Sequence, residues 1–412
     1  MMDIALFGLI PRPLRLLGPL ERCRWHETVS RQPRVVIIVE VSGRTTIQDW
    51  QRALDEVRRC HPLLGVEIAL DYEGRPAFFD LPRRPFPLEV SGCDEEDWKG
   101  AISIELKDKI RHSSPLARAV LLHGAEASTL MLVAHAAIAD ASALSRVMSD
   151  LLTVIGGGSI VRQCFPAAVA IPRGREGKAT SLAALCTMAW SEPHINSARL
   201  SPALTARLDM VAHRHGLNLG DLMSAALVKC AQFRAGRHES DMRRVLGEIR
   251  LSRRQAPSCC VVESALHKKD YTLVDETDVF TLARSLASDF SCEMRKEGSN
   301  HGISPSASVP DSIPLMRDDA SSASASHRLR LGHLGHQFAQ SYGAIRVDAV
   351  WGPLSIGEKD ADHTIATGQV NGRVHILYAA RKPFDRFLER TQQLLERAAD
   401  EGATGHPTGD FR

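Results

Sequence analysis

The chain has 412 residues, a net charge of +2 and 24% charged against 44% hydrophobic residues. That is ordinary globular composition, long enough to build a core without disulfides or metals. It lacks the basic excess that a nucleic-acid or polybasic membrane partner requires. Nine scattered cysteines, an odd number without a C-x-x-C pair, read as reduced thiols and predict a cytoplasmic chain.

In chain order, the apolar run Ile4–Ile10 has no basic region before it and is broken by Pro11 and Pro13, so it reads as mature protein rather than a signal peptide. No run of about 18 apolar residues follows anywhere, so no transmembrane segment is expected. Arg34 to Ser42, RVVIIVEVS, is a β-branched run typical of a largely buried strand. Thr45 and Thr46 offer an N-cap for a helix over 46–60, with Ile47, Trp50, Leu54 and Val57 at helical spacing and Pro62 as its stop. LLGVEIAL and PAFF, about the turn 71–75, form a hairpin. A helix over 96–112, strands over 117–123 and 129–135, and a helix over 141–152 complete the first half. GGG at 156–158 ends it, and the stretch to about residue 180 reads as a surface connection.

The second half opens with Ser201-Pro202, an N-cap with proline in the first turn, and a helix to His215. A turn over 217–220 and a small-residue-rich helix over 221–233 follow, then a strand, VLGEIRL, at 245–251. Cys259-Cys260 reads as adjacent buried thiols in a strand or as a reactive thiol. Residues 297–327, rich in Ser, Ala, Pro and Gly, read as a mobile insertion. Strands return at 344–350 and 373–378, the second after Asn371-Gly372, and a helix near 383–398 closes the chain. Strands alternate with helices in both halves, which predicts α/β or α+β packing in two lobes, 1–178 and 179–412. No dinucleotide or Walker spacing and no zinc spacing is present, so no bound cofactor or metal is expected.

The most informative segment is LVAHAAIADASAL, residues 132–144, an apolar strand running through a short turn into a helix. It resembles the H-H-x-x-x-D-G signature shared by nonribosomal-peptide condensation domains, polyketide-associated acyltransferases, chloramphenicol acetyltransferase and plant acyltransferases. His135 falls on the first histidine, Ala136 on the second, Asp140 on the aspartate and Ala141 on the glycine. HPLL (61–64), HRHGLNLGDLMSAALVKCAQF (213–233) where two helices meet, QSYGAI (340–345) and NGRVHILY (371–378) extend the resemblance over nearly the whole chain.

The resemblance implies two chloramphenicol-acetyltransferase-like lobes with a tunnel between them. It also implies acyl transfer, in lipid or secondary-metabolite biosynthesis, from a thioester to a small alcohol or amine. The co-substrate would be acyl-coenzyme A or a phosphopantetheinyl acyl or peptidyl carrier protein. With room for the two-lobed unit only, the carrier would arrive in trans. The second histidine is the family's base, suited to proton transfer near pH 7. Alanine has no titrating group, and losing a positioned base costs about two to four orders of magnitude in rate. The alternative is a catalytically inactive relative that binds carrier protein or biosynthetic enzymes.

The first histidine supports the loop in the family, so His135 reads as a supporting group. The family's aspartate pairs with an arginine of the other lobe, and Arg253 in LGEIRLSRRQ is the partner suggested for Asp140. Ala141 removes the backbone freedom that glycine gives at such a turn. His123, His333, His336, His363 and His375 are candidates by residue type only. Trp351-Gly352 reads as a turn with a packed tryptophan or as a trace of the plant enzymes' Asp-Phe-Gly-Trp-Gly motif.

Overall fold

A computed structural model describes residues 12–27, 33–81, 84–92, 98–107, 115–168, 193–232, 242–250, 264–272, 277–299, 325–333, 338–356 and 363–404. Two six-stranded sheets dominate it. The first runs β12-β13-β2-β7-β6-β5, where β2 is Arg34–Ser42, β5 Leu88–Gly92, β6 Ala117–His123, β7 Ala127–His135, β12 Ser341–Tyr342 and β13 Ile345–Ile356. The second runs β10-β9-β11-β14-β15-β8, where β8 is His194–Arg199, β9 Met242–Arg250, β10 Ser264–Thr272, β11 Ala325–His333, β14 His363–Val370 and β15 Arg373–Ala380. A small sheet of β1 (Arg15–Leu16), β4 (Pro76–Asp80) and β3 (Val66–Leu70) flanks the first. Among the described residues no helix is long and apolar enough to cross a membrane.

Strand β2 shows why its sequence reads as an unbroken apolar run. Val35, Ile37, Val39 and Val41 face the first lobe's core with helices α2 (Ile47–Cys60) and α4 (Ala141–Ile155). The alternate residues Val36 and Ile38 face a separate cluster between the two sheets, with Trp351 and Leu354 of β13 and Leu377 and Ala379 of β15. A strand buried on both faces cannot alternate apolar with polar. Helix α2 starts where its cap predicts: Thr46 and Asp49 form a reciprocal capping box. At its far end buried His61 bonds Asp150 of α4 through Nε2 and Oδ2, 2.9 Å apart, and Arg146 also reaches Asp150.

The second lobe packs α5 (Pro202–Arg214), α6 (Leu219–Gln232), α7 (Val279–Ser299) and α8 (Phe387–Thr404) on the Val374, Ile376 and Tyr378 face of β15. The hairpin at Asn371-Gly372 has φ of 52° and 68°, the left-handed pair that an Asn-Gly turn favours. The Asn371 amide donates to the Val347 carbonyl of β13 at 2.5 Å, which pins this turn to the first sheet.

Several expectations need correction. The strand read at 344–350 extends to Ile356 and belongs to the first lobe's sheet, paired along β2, so the division at 178/179 does not hold for 341–356. Gly156, at the end of α4, and Gly343 meet backbone to backbone, and a Cβ on either would collide with the other turn. At the limits of the insertion read at 297–327, helix α7 continues to Ser299 and β11 begins at Ala325; the rest lies outside the described residues, as does Cys259-Cys260. Strands β5, β8, β10, β11 and β14 and helix α7 lie outside the elements expected from the sequence.

Candidate active-site turn and the seam between the lobes

Strand β7 ends at His135, the chain turns through 136–138, and α4 begins at Ala141. The turn is held by backbone bonds at both ends. His135 N–H donates to the Leu116 carbonyl at 2.7 Å, Ala136 N–H to the Pro33 carbonyl at 2.9 Å, and Ile138 N–H back to the His135 carbonyl at 3.0 Å. The His135 ring is fully buried, and its Nδ1 accepts from Ala137 N–H at 3.0 Å. With Nδ1 accepting, the neutral ring carries its proton on Nε2. The ring packs edge to face with Trp25, ring centroids 6.1 Å apart.

Ala136 is 3% exposed and sits in the first lobe's core with Ala137, Ile138 and Ala139. Asp140 is the N-cap of α4: its Oδ1 accepts from Ala143 N–H at 2.8 Å. The carboxylate also faces the positive end of the helix dipole. Ala141 lies inside the helix and has no positive φ, so the turn does not call on glycine's freedom at that position. Arg253 lies outside the described residues. Replacing Asp140 by alanine is expected to cost about 1 kcal/mol through the cap alone, because Ala143 N–H loses its acceptor; urea unfolding of the Asp140→Ala and Asp140→Asn forms measures it, and an unchanged midpoint in the alanine form would contradict the cap.

A second group of polar residues faces the seam between the sheets. Glu40 of β2 accepts from Trp351 Nε1 at 2.7 Å and forms an ion pair with Arg199 of β8. The Arg199 guanidinium lies over the Trp351 ring, 5.0 Å from its centroid, and Trp98 packs against the same ring at 5.2 Å. His375 of β15 approaches Trp351 edge to face at 4.9 Å. His375 is 1% exposed, and neither ring nitrogen has a hydrogen-bond partner among the described residues. Burial, with Arg199 and Arg373 nearby, pushes its pKa from 6.5 down to about 3, so the ring is neutral near pH 7.

The structure does not bring His375 to the 135–140 turn. Arg34 pairs with His135 and Ile38 with Trp351, so the Trp351 group sits four residues along β2, about 13 Å away at roughly 3.3 Å per residue. Of the other histidines, His123 Nδ1 bonds Ser128 Oγ at 3.0 Å and His363 Nδ1 bonds Tyr378 Oη at 2.8 Å. His336 lies outside the described residues, and the His333 side chain is likewise not described. Trp351 stands inside a strand rather than in a turn, packed as one of the two readings held. Glu40 and Arg199 were not anticipated; a carboxylate inside an otherwise apolar strand was the available signal.

No family model and no curated protein matches this sequence. Solved structures do match it, through nearly the whole of both chains. Polyketide synthase associated protein 5 from Mycobacterium tuberculosis superposes with a TM-score of 0.67 at 13% identity, covering 95% of this chain and 99% of that one. The first condensation domain of the calcium-dependent antibiotic synthetase, solved with a substrate analogue, gives 0.69 at 14% identity over 95% and 97%.

The chain has the condensation-domain fold.

The X-domain from teicoplanin biosynthesis shares this fold at a TM-score of 0.57, with 15% identity over 96% of each chain. That X-domain has also been solved in complex with OxyB. Within the condensation fold, the 135–140 turn stands at the end of the central strand β7 and the Trp351 group lines the contact between the two sheets.

Proposed function

We propose that this chain is a recognition protein on the condensation fold, working in secondary-metabolite biosynthesis. It binds a carrier-borne or coenzyme A-borne acyl or aminoacyl thioester, or an enzyme that handles one, without transferring the acyl group at the 135–140 turn. The observation that carries this reading is Ala136: a methyl group embedded in the first lobe's core, offering neither proton acceptor nor donor. His135 does not replace it, because its Nδ1 is engaged by Ala137 N–H within the turn. The X-domain with OxyB is a precedent for protein recognition on this fold.

A second reading, acyl transfer to an alcohol or amine, draws support from the presence of His135 and Asp140, each bonded within the strand–turn–helix segment. The two separate when the protein is offered acyl-coenzyme A and acyl-carrier donors with a pool of alcohols and amines. Products are read by mass spectrometry, and carrier binding by calorimetry. The expected result is a measurable complex with a loaded carrier and no product above the protein-free reaction. Product from the unmodified chain would overturn the proposal; absence of both product and complex would overturn the carrier-borne thioester as its ligand and leave the enzyme that handles one. The Ala136→His form, which overfills a packed site at a cost of about 1–3 kcal/mol, tests whether only the base is missing.

A further inference from the structure

The first lobe carries a cavity of about 1040 Å³ that shares no lining residue with the 135–140 turn or the seam. Its walls come from the last turns of α2, from Asp80, Leu81, Arg84 and Pro85 at and after the end of β4, and from residues 162–165. These walls are fastened to each other. Gln163 N–H donates to the Cys60 carbonyl at 2.9 Å, Leu81 N–H to the Gly65 carbonyl at 2.9 Å, and the Arg58 guanidinium to the Leu81 and Arg84 carbonyls. Asp55 Oδ1 accepts from Phe86 N–H at 2.6 Å and ties α2 to the residues after Pro85. The cavity is therefore preformed, as small-molecule sites usually are.

Its lining is cationic. Arg58, Arg59, Arg84 and Arg162 line it together with Asp55 and Asp80. Arg59 is paired with Glu56, whereas Arg58, Arg84 and Arg162 have no acidic partner among the described residues. Leu14, Leu81 and Phe165 supply an apolar wall beside them. Guanidinium forks match phosphate oxygens in pairs, and Arg58, Arg84 and Arg162, which outnumber Asp55 and Asp80 once Arg59 is set against Glu56, match a phosphate monoester near its dianionic state better than a carboxylate.

We propose that this cavity is a binding site for an organic phosphate, with Arg84 and Arg162 on the phosphate and Leu81 and Phe165 against its apolar stem. Cys164, an exposed free thiol in the lining, gives a direct readout. The whole chain is titrated with 1-naphthyl phosphate, 1-naphthoate and 1-naphthol by calorimetry. In parallel, iodoacetamide labelling of Cys164 is followed by peptide mass spectrometry. The phosphate is expected to bind at least about tenfold more tightly than either analogue and to slow Cys164 labelling several-fold at saturation. The Arg84→Gln/Arg162→Gln form is expected to lose that preference without a change in thermal midpoint. Equal binding of naphthoate would overturn the assignment to phosphate, equal binding of naphthol the role of the arginines, and unprotected Cys164 the location.

Discussion

Replacing Trp351 by alanine is expected to remove about 3–5 kcal/mol of stability, the usual cost of emptying a large buried aromatic site. The indole is 3% exposed and joins elements from both halves of the chain: Trp98 on one side, His375 of β15 on another, and Arg199 of β8 over its face. Its N–H also satisfies Glu40, so truncation leaves that carboxylate with Arg199 alone beside a new cavity. Trp351→Phe keeps most of the volume but drops the hydrogen bond, and should lose distinctly less. Denaturant unfolding of the three forms orders them; an alanine form within about 1 kcal/mol of the parent would show that this seam contributes little to holding the lobes.

Acid should weaken the fold through His375 well before the carboxylates titrate. Its pKa is 6.5 in the ordinary state and about 3 in the folded protein. The folded state thus binds fewer protons than the unfolded chain between those values. Its contribution is intact above pH 6.5 and is lost progressively as pH falls toward 3. Between pH 7 and pH 5 the loss amounts to about 2 kcal/mol, from linkage of one site protonated only on unfolding. The groups around the ring work in the same direction: Arg199 and Arg373 disfavour a second positive charge, and Glu40 is already engaged by Arg199 and Trp351. A His375→Phe form, which keeps a ring against Trp351 and removes two unpartnered nitrogens, should show a correspondingly flatter stability profile over that range. Parallel profiles for the two proteins would mean that His375 finds a proton partner on folding.

The sequence by itself determined those features whose cause is local. The double-sided apolar run of β2, the Thr46 cap, the Asn371-Gly372 turn and the strand–turn–helix course through His135 and Asp140 each depend on a few neighbouring residues. Their period or turn chemistry leaves little choice. Helix α7 was legible in the same way, since Val279, Phe280, Ala283 and Leu286 follow helical spacing behind the Asp278 side chain that accepts from Thr281 N–H.

Tertiary structure alone decided which sheet each strand joined and what each polar residue met. Strand β13 reads as an ordinary second-half strand, yet it pairs with β2, more than 300 residues earlier, because that register buries Trp351 and Leu354 against Val36 and Ile38. Two register shifts along β13 turn its side chains between the first core and the seam, which no fixed alternation in sequence could announce. Glu40, Arg199, Trp351 and His375 come together only through that pairing, and no local pattern links them. The same holds for Ala136: its identity shows that a base is missing, and only the fold shows its methyl group filling a place in the core.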